Sequence, residues 1–364
     1  MVSRVIQAVA GAGKTYHVAN SFSNSMRCIY VTFTNENVNN IYTELIKGGR
    51  DLENCNVSTF SKFICDWFIR PFFPKLQPYL GSFKGFTTVN PPENTRNRNN
   101  GYVKDIYARH YVDETGCLYL SRISELVTKQ KRELRELMFQ RIGWFTDILI
   151  VDEYQDLTGK DFDLLKLLVK QKFFDVTLVG DVFQTGVSQS AQRKESKLLG
   201  FNRDVDTFDD FMKGVFGSKK LIIDKTSLIK SRRISPSCAK FVEEHLGIEI
   251  KSTGVITTGV HRVAGIDELN LIMSNKMTVL IFNRKITHDF PNENYNSWSY
   301  VKGSTCGDVL VVLTTKTDKI LESGELTGIS RKTLNKLYVA LTRATGELYI
   351  VSSDIWKIAN KTIK

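Results

Sequence analysis

Two adjacent carboxylates stand at the end of an apolar run near the middle of the chain. Residues 148–156 read ILIVDEYQD, so a stretch of strand length ends in Asp152 and Glu153. A second polar pair, Gln155 and Asp156, follows one residue later. A buried strand with this ending can hold a magnesium ion with the first carboxylate and polarise a water molecule with the second. The pattern therefore indicates hydrolysis of a nucleotide.

A glycine-rich turn near the N-terminus supplies the other half of such a site. Residues 8–15 read AVAGAGKT, after a predicted strand at 5–10 and before a predicted amphipathic helix at 16–22. Glycines let backbone N–H groups approach phosphate oxygens. In loops of this kind the lysine, here Lys14, reaches the β- and γ-phosphates, and the hydroxyl, here Thr15, binds magnesium. The usual pattern opens with glycine, whereas Ala8 stands in this chain.

The two motifs together predict a site for ATP and Mg²⁺. Thr15 and Asp152 are the expected metal ligands, and Glu153 is the expected catalytic group that polarises the attacking water. The expected phosphate ligands all lie in the glycine-rich loop: Ala10, Gly11, Ala12, Gly13, Lys14 and Thr15.

Composition and charge narrow the class of protein. The 364 residues are 42% hydrophobic and 24% charged, which is typical of soluble globular proteins and long enough for two domains. No apolar run approaches the ~20 residues of a membrane helix, and the N-terminus does not resemble a signal peptide. The six scattered cysteines favour free thiols in a reducing compartment. We therefore expect a cytoplasmic protein, of a prokaryote or an infected host cell, with no membrane partner.

The net charge of +11 leaves two interpretations open. It is typical of proteins that bind a polyanion such as nucleic acid, and it also fits a merely basic, solvated surface. The charge is spread along the chain, which favours a groove that follows a phosphate backbone over a basic tail.

Apolar runs alternate with helix-like segments, and this pattern predicts an α/β fold with parallel sheets flanked by helices. We place the first domain at 1–224, with a small, mostly helical insertion at about 70–140, and the second at 225–364. The insertion holds a mobile polar loop at 91–100 and ends in a predicted helix at 121–142. Further helices are predicted after Pro236 and at 333–342. The predicted strands are 5–10, 28–33, 56–60, 148–151, 176–179, 221–223, 279–282, 309–313 and 348–351.

At this point the chain resembles a known family, the UvrD/Rep-like group of superfamily-one DNA helicases. The motifs occur in the family's order over nearly the whole chain: AGAGKT at 10–15, VTFTN at 31–35, STF at 58–60, VDEYQD at 151–156, LVGDVFQ at 178–184, KSRR at 230–233, YVKGST at 300–305 and LYVALTRA at 337–344. The resemblance implies two RecA-like domains with ATP in the cleft between them, and Lys14 and Glu153 on the first domain.

The resemblance also assigns roles to individual residues. It makes Gln184 the sensor of the γ-phosphate, and Arg233 and Arg343 the arginines that reach the nucleotide from the second domain. Gln155 would couple the nucleotide site to nucleic acid, and Arg232 would stack on the base in place of the family's tyrosine. The implied contacts to single-stranded DNA are Thr32, Phe33, Asn35, Thr59, Phe60 and Lys302. By residue type alone, both phenylalanines would more readily be core residues.

Some family features are missing. No glutamine motif that reads adenine precedes the loop, and Gln7, on the first strand, is not assigned that role. Thr185 to Ser188 stand where the family has aromatic residues, and Thr305 replaces an acidic residue. The large insertion of the second domain is also absent. We therefore expect relaxed base selectivity between ATP and GTP, and a compact motor.

The expected function is that of an ATP-dependent single-stranded DNA translocase and helicase, moving 3′ to 5′ by resemblance. One alternative is a compact viral-type RNA helicase. Another is a motor ATPase subunit that regulates a nuclease or replication partner. Stimulation of the ATPase by DNA or by RNA separates the first two.

Overall fold

The chain forms two compact units of α/β structure in a computed structural model that describes residues 1–80, 84–94, 101–187, 195–202, 205–282, 294–324, 326 and 328–362. Unit 1 comprises Met1–Val5, Thr15–Val179 and Thr207–Ile222. Unit 2 comprises Ile6–Lys14, Gly180–Asp206 and Ile223–Lys364. Part of the predicted loop at 91–100 lies outside the described residues. Ser188 also lies outside them.

The strands of the described part, in chain order, are β1 (Ser3–Ala8), β2 (Cys28–Thr32), β3 (Cys55–Thr59), β4 (Gly85–Thr87), β5 (Cys117–Tyr119), β6 (Ile148–Asp152), β7 (Asp175–Gly180), β8 (Ile222–Leu228), β9 (Lys230–Ser231), β10 (Lys251–Ser252), β11 (Val260–Arg262), β12 (Thr278–Ile281), β13 (Tyr295–Ser297), β14 (Val309–Val312) and β15 (Leu348–Val351).

The α-helices are α1 (Lys14–Asn20), α2 (Asn35–Lys47), α3 (Phe60–Ile64), α4 (Arg70–Leu80), α5 (Ile123–Thr128), α6 (Arg132–Phe145), α7 (Gly159–Lys170), α8 (Phe208–Phe216), α9 (Pro236–Leu246), α10 (Ile266–Met273), α11 (Thr315–Ser323), α12 (Arg331–Leu341) and α13 (Ser353–Thr362). A π-helical turn, Cys65–Ile69, joins α3 to α4.

Two sheets organise the fold. The larger has the strand order β3-β2-β6-β7-β1-β8, and β2 pairs in parallel with both β3 and β6, as β6 does with β7. The smaller has the order β11-β15-β14-β12-β13, with parallel pairing throughout. Every residue of β2, β6, β12 and β14 is buried, as in parallel sheets covered on both faces. The predicted α/β fold with parallel sheets flanked by helices is confirmed.

The predicted helix at 121–142 is wrong as a single element. A short 3₁₀ turn leads into α5, which ends when the Lys129 amide bonds back to Glu125, and α6 starts after Lys131, whose backbone is extended. The Arg135 guanidinium donates to the Thr128 carbonyl at 2.6 Å and bridges the break. The apolar spacing continues across both helices, so the pattern alone could not reveal the turn.

Two predicted limits fall inside regular elements. The limit between residues 224 and 225 lies within β8, which extends beyond the strand predicted at 221–223. The predicted start of the insertion at residue 70 lies within a helical run that continues from α3 through the π turn into α4. The domain limits themselves stay a prediction.

Candidate functional site

The glycine-rich loop follows β1 and leads directly into α1, which begins at Lys14. Gly11 and Gly13 have φ angles of 74° and 80°, in the region that side chains other than glycine rarely adopt. Among the described residues, no heavy atom outside Gly13, its chain neighbours and the adjoining helix backbone lies within 4 Å of the position that a Cβ on Gly13 would take. The loop therefore has the backbone form and the open side that a phosphate group needs.

Residues 228–233 hold the first half of the loop. The Val9 amide donates to the Leu228 carbonyl at 3.0 Å, and the Arg232 amide donates to the Gly11 carbonyl at 2.9 Å. A Cβ on Gly11 would lie 2.6 Å from the Cβ of Arg233. The loop up to Lys14 belongs to unit 2, as do Arg233 and Arg343. The assignment of Lys14 to the first domain stays a prediction.

Helix α12 also contacts the loop. The Tyr338 hydroxyl, in the middle of this helix, accepts a hydrogen bond from the Ala10 amide at 2.9 Å and donates one to Asp181 Oδ2 at 3.1 Å. Tyr338 is completely buried, and burial and the Asp181 charge raise its pKa well above the ordinary value. The hydroxyl therefore stays protonated and acts only as a hydrogen-bonding group.

Asp181 is the centre of a buried polar cluster in unit 2. Gln7 Nε2 donates to Asp181 Oδ1 at 3.1 Å, and Gln184 Nε2 donates to Asp181 Oδ2 at 2.8 Å. Burial raises the pKa of Asp181, while Lys14 and the hydrogen bonds act in the opposite direction. Gln7 Nε2 also donates to the Ala8 carbonyl, and Gln7 Oε1 accepts from the Val182 amide, so the Gln7 side chain is committed to this cluster.

The two candidate arginines differ in their surroundings. Arg343 is buried, and its guanidinium donates to the carbonyls of Val339 at 2.9 Å and Ser304 at 3.3 Å. Burial, with repulsion from Arg233, lowers the pKa of Arg343 to about 9. Arg233 is partly buried, which also lowers its pKa. An anionic group nearby would favour the charged form of both side chains.

The carboxylates predicted for hydrolysis lie in unit 1. Asp152 is the last residue of β6 and is buried. Glu153 has left-handed backbone angles, φ 53° and ψ 39°, and is the only residue other than glycine with positive φ in the described part of the chain. The amide of the buried Gln155 donates to Glu153 Oε2. Strained backbone of this kind concentrates at functional sites, and Gln155 here orients the predicted base.

The donor set fits a magnesium ion. Thr15, in the first turn of α1, supplies a hydroxyl, and Asp152, also in unit 1, supplies a carboxylate. The described residues contain no group of three or more His, Cys, Asp or Glu side chains that could hold a metal by themselves. Mg²⁺ is often held by one or two protein ligands together with phosphate oxygens and water.

The two predicted nucleic-acid motifs of unit 1 lie side by side, because Thr32 and Thr59 are register partners at the ends of β2 and β3. Their side chains, however, do not all face solvent. Thr32 is 1% exposed and Phe60 is 4% exposed, with its ring 6.4 Å from that of Phe63. The side chains of Thr32 and Phe60 are thus buried, and the contacts of both residues with DNA stay a prediction.

The remaining predicted contacts have better access. Asn35 is exposed at the start of α2, and Phe33 and Lys302 are partly buried. The Thr59 hydroxyl accepts a hydrogen bond from the Lys62 amide at 3.3 Å and so caps α3. The side chain of Arg232, predicted to stack on the base, is exposed.

The sequence alone did not single out Tyr338, Asp181 or Asn335. The available clue was two polar residues in a helix that is otherwise largely buried. Helix α12 is buried along most of its length and carries Asn335 and Tyr338 one turn apart. Buried polar groups need partners. The Asn335 amide donates to the Thr185 carbonyl at 2.9 Å, and the Tyr338 hydroxyl bonds Ala10 and Asp181.

Comparison with known proteins gives the family. A family model described as a viral superfamily 1 RNA helicase core domain matches residues 109–352. A second, described as an AAA domain, matches residues 3–188. The chain belongs to the viral superfamily 1 helicase core family. Helicases of this superfamily generally use ATP with Mg²⁺. No curated protein matches the chain.

Three solved structures have a similar backbone fold. A complex of Arterivirus nonstructural protein 10 (helicase) with DNA is 14% identical, with a TM-score of 0.49, over 96% of this chain and 60% of that one. A crystal structure of Arterivirus nonstructural protein 10 (helicase) is 15% identical, with a TM-score of 0.47, over 96% of this chain and 59% of that one. The structure of the PRRSV helicase is 16% identical, with a TM-score of 0.43, over 97% of this chain and 52% of that one. The chain thus spans about 60% or less of these helicases, and similarities this remote assign no substrate.

The described residues include no helix that is both long and apolar enough to span a bilayer. All six cysteines are free thiols, as predicted from their scattered positions.

Proposed function

We propose that the chain is the ATP-hydrolysing motor core of a viral-type superfamily 1 helicase that acts on single-stranded nucleic acid. The observation that carries the proposal is the phosphate loop, in which two glycines at positive φ lead from β1 into a helix that begins with Lys14 and Thr15. This backbone form directs N–H groups at an anion, and the lysine adds a positive charge.

The predicted site residues would divide the chemistry among them. Lys14 would neutralise the β- and γ-phosphates, and Thr15 and Asp152 would hold Mg²⁺. The bound ion would neutralise charge on the phosphates. Glu153, oriented by the Gln155 amide, would accept the proton of the attacking water. By the helicase resemblance, Gln155 would also couple the catalytic base to nucleic-acid binding.

Gln184, Arg233 and Arg343 would respond to the γ-phosphate. Gln184 is fixed on Asp181, and Arg343 follows α12, which bonds the phosphate loop through Tyr338. A guanidinium whose pKa is lowered by burial gains most from a nearby anion, because the pair is poorly solvated. Arginines in this position contribute several powers of ten to hydrolysis in related motors.

RNA is the first candidate for the nucleic acid, because the family model is one of viral RNA helicases. Single-stranded DNA, 3′-to-5′ movement and a nuclease or replication partner are the finer expectations of the UvrD/Rep-like resemblance. The side chains of Thr32 and Phe60, two of the residues on which the DNA assignment rests, are buried. Phe33, Asn35 and Lys302 would then make the contacts to either strand.

The decisive experiment is nucleotide hydrolysis with no nucleic acid, with single-stranded RNA and with single-stranded DNA. The wild type is expected to hydrolyse ATP faster with its preferred strand, and Glu153→Gln is expected to lose at least about 100-fold in kcat while still binding ATP. Repeating the assay with GTP tests base selectivity, because Arg232 replaces the family's tyrosine.

Two results would count against the proposal. An active enzyme that neither RNA nor DNA stimulates is not a nucleic-acid motor. A Glu153→Gln variant that keeps wild-type kcat would remove Glu153 from the mechanism. Strand displacement from a duplex with a 3′ or a 5′ single-stranded tail then gives the direction of movement.

A further inference from the structure

The Tyr338 hydroxyl has fixed hydrogen-bonding roles. The Ala10 N–H can only donate, so at 2.9 Å the hydroxyl oxygen accepts from it. The hydroxyl proton is then directed to Asp181 Oδ2, 3.1 Å away. The donor and the acceptor lie 328 and 157 positions from Tyr338 in the sequence. One side chain therefore ties the phosphate loop to the turn that carries Gln184.

Asp181 accepts this hydrogen bond as one of four. Its Oδ1 accepts from Gln7 Nε2 and from the Phe183 amide, and its Oδ2 accepts from Gln184 Nε2 and from Tyr338. An ionised carboxylate offers about four acceptor positions, and these four donors fill them. The charge of Lys14 lowers the pKa of Asp181, and the charge of Asp181 raises the pKa of Arg343. The carboxylate thus holds Tyr338 in one orientation.

Helix α12 is anchored beside this carboxylate independently of the loop. The Asn335 amide donates to the Thr185 carbonyl at 2.9 Å, and the Phe183 ring meets the Tyr338 ring edge-on with centroids 6.2 Å apart. Both contacts attach α12 to residues 181–185 and leave the loop untouched. The Tyr338 hydroxyl extends the attachment to Ala10.

We infer that Tyr338 is a positioning residue for nucleotide binding: its hydroxyl holds the Ala10 amide and sets the phosphate loop relative to Asp181, Gln184 and Arg343. The inference rests on the proposed function for its consequence, but not for the contact itself. Without the hydroxyl, the buried Ala10 N–H loses its partner, and unpaired buried donors drive local rearrangement. The phosphates would then meet a loop in the wrong position.

Tyr338→Phe tests the inference, because it removes one oxygen and keeps the ring against Phe183. Hydrogen–deuterium exchange of the nucleotide-free protein should be faster in the peptide that covers residues 5–15. The ATP KM should rise about 10-fold while kcat stays within about threefold, because the lost contact positions the loop and does not touch the reacting atoms. Asn335→Ala is the matched control, since it weakens the same helix attachment without contacting the loop.

The outcomes separate the inference from the proposed function. If exchange in residues 5–15 is unchanged by Tyr338→Phe, or is raised equally by Asn335→Ala, the inference is wrong whether or not the protein hydrolyses ATP. A fall in kcat with unchanged KM would also contradict it. If the wild type hydrolyses no nucleotide, the proposed function fails, and the exchange data still judge the contact. Should Tyr338→Phe not fold, Asp181→Asn must give the same faster exchange, because it turns an acceptor of the Tyr338 proton into a possible donor.

Discussion

The Cα of Gly11 packs so closely on Arg233 that a Cβ built on Gly11 would lie 2.6 Å from the Arg233 Cβ and 2.7 Å from Ser231 Oγ. Contacts this short do not occur between real Cβ atoms, so Gly11 is required for two reasons, its φ of 74° and this approach. Gly13 has a similar φ of 80°, but no atom lies near its virtual Cβ. Substituting the two glycines therefore distinguishes the cost of backbone strain, present at both positions, from the cost of a steric clash, present at Gly11.

Gly11→Ala should lower the free energy of unfolding by about 2–4 kcal/mol, because it adds overpacking to the strain of positive φ. Gly13→Ala should cost about 1 kcal/mol, from φ strain alone. Urea unfolding of both variants measures the difference. Equal losses would mean that residues 231–233 move away freely and that their contact with the loop is weak.

Glu153 should trade stability for activity. Its left-handed backbone costs about 1 kcal/mol in any residue with a side chain and is free of that strain in glycine. We therefore expect the free energy of unfolding of Glu153→Gly to exceed that of Glu153→Ala by about 1 kcal/mol. Both variants should lose hydrolysis to the same extent. Thermal and urea unfolding, with kcat measured alongside, check the pair. A Glu153→Gly variant less stable than Glu153→Ala would show that positive φ at this position is not a source of strain.

Phe33 and Phe60 should respond differently to the same change. Phe60 is buried against Phe63, so Phe60→Leu should cost about 1 kcal/mol of stability and leave nucleic-acid affinity unchanged. Phe33 is partly exposed at the end of β2, and Phe33→Leu should weaken binding of single-stranded RNA or DNA about 5-fold or more, with little loss of stability. Fluorescence anisotropy with a labelled oligonucleotide compares them. Loss of affinity only in Phe60→Leu would reinstate the original stacking prediction.

The sequence predicted those parts of the site that lie in one short stretch of chain. The phosphate loop, the strand ending in Asp152 and the parallel sheet follow from local patterns of glycine, lysine, carboxylate and β-branched residues. The pairing of Tyr338 with Ala10 and Asp181 could not be predicted, because spacing in sequence carries no information about contacts between distant segments. Phe60 was ambiguous for another reason: a phenylalanine next to hydroxyl residues fits a core and a stacking surface equally well, and only packing decides.

The same limit applies to the break between α5 and α6. Apolar residues keep a helical period across it, and the residues that follow α5, Lys129 and Gln130, are good helix formers. Tertiary contacts, such as the Arg135 guanidinium on the Thr128 carbonyl, stabilise the turn instead. The strand limits near residue 225 were missed because β8 is largely exposed and lacks the apolar signal of the buried strands.

The contact between Ser124 and Asp161 should make stability depend on pH. Ser124, completely buried in α5, donates its hydroxyl to Asp161 in the first turn of α7. Burial raises the pKa of Asp161 from 3.8 to about 6. The folded protein therefore binds a proton at Asp161 more tightly than the unfolded chain does. This contribution to stability is complete below about pH 4 and is lost as the pH rises through about 6.

Asp161→Asn should consequently raise the free energy of unfolding at pH 8, by about 1–2 kcal/mol, and should change it little at pH 4, where Asp161 is already protonated. Asp163→Asn is the control, since Asp163 lies in the same helix, half-exposed beside Lys160. Urea unfolding at pH 4, 5, 6, 7 and 8 measures both. If Asp161→Asn is less stable than the wild type at pH 8, then Ser124 stabilises an ionised Asp161 and the direction of the pKa shift is reversed.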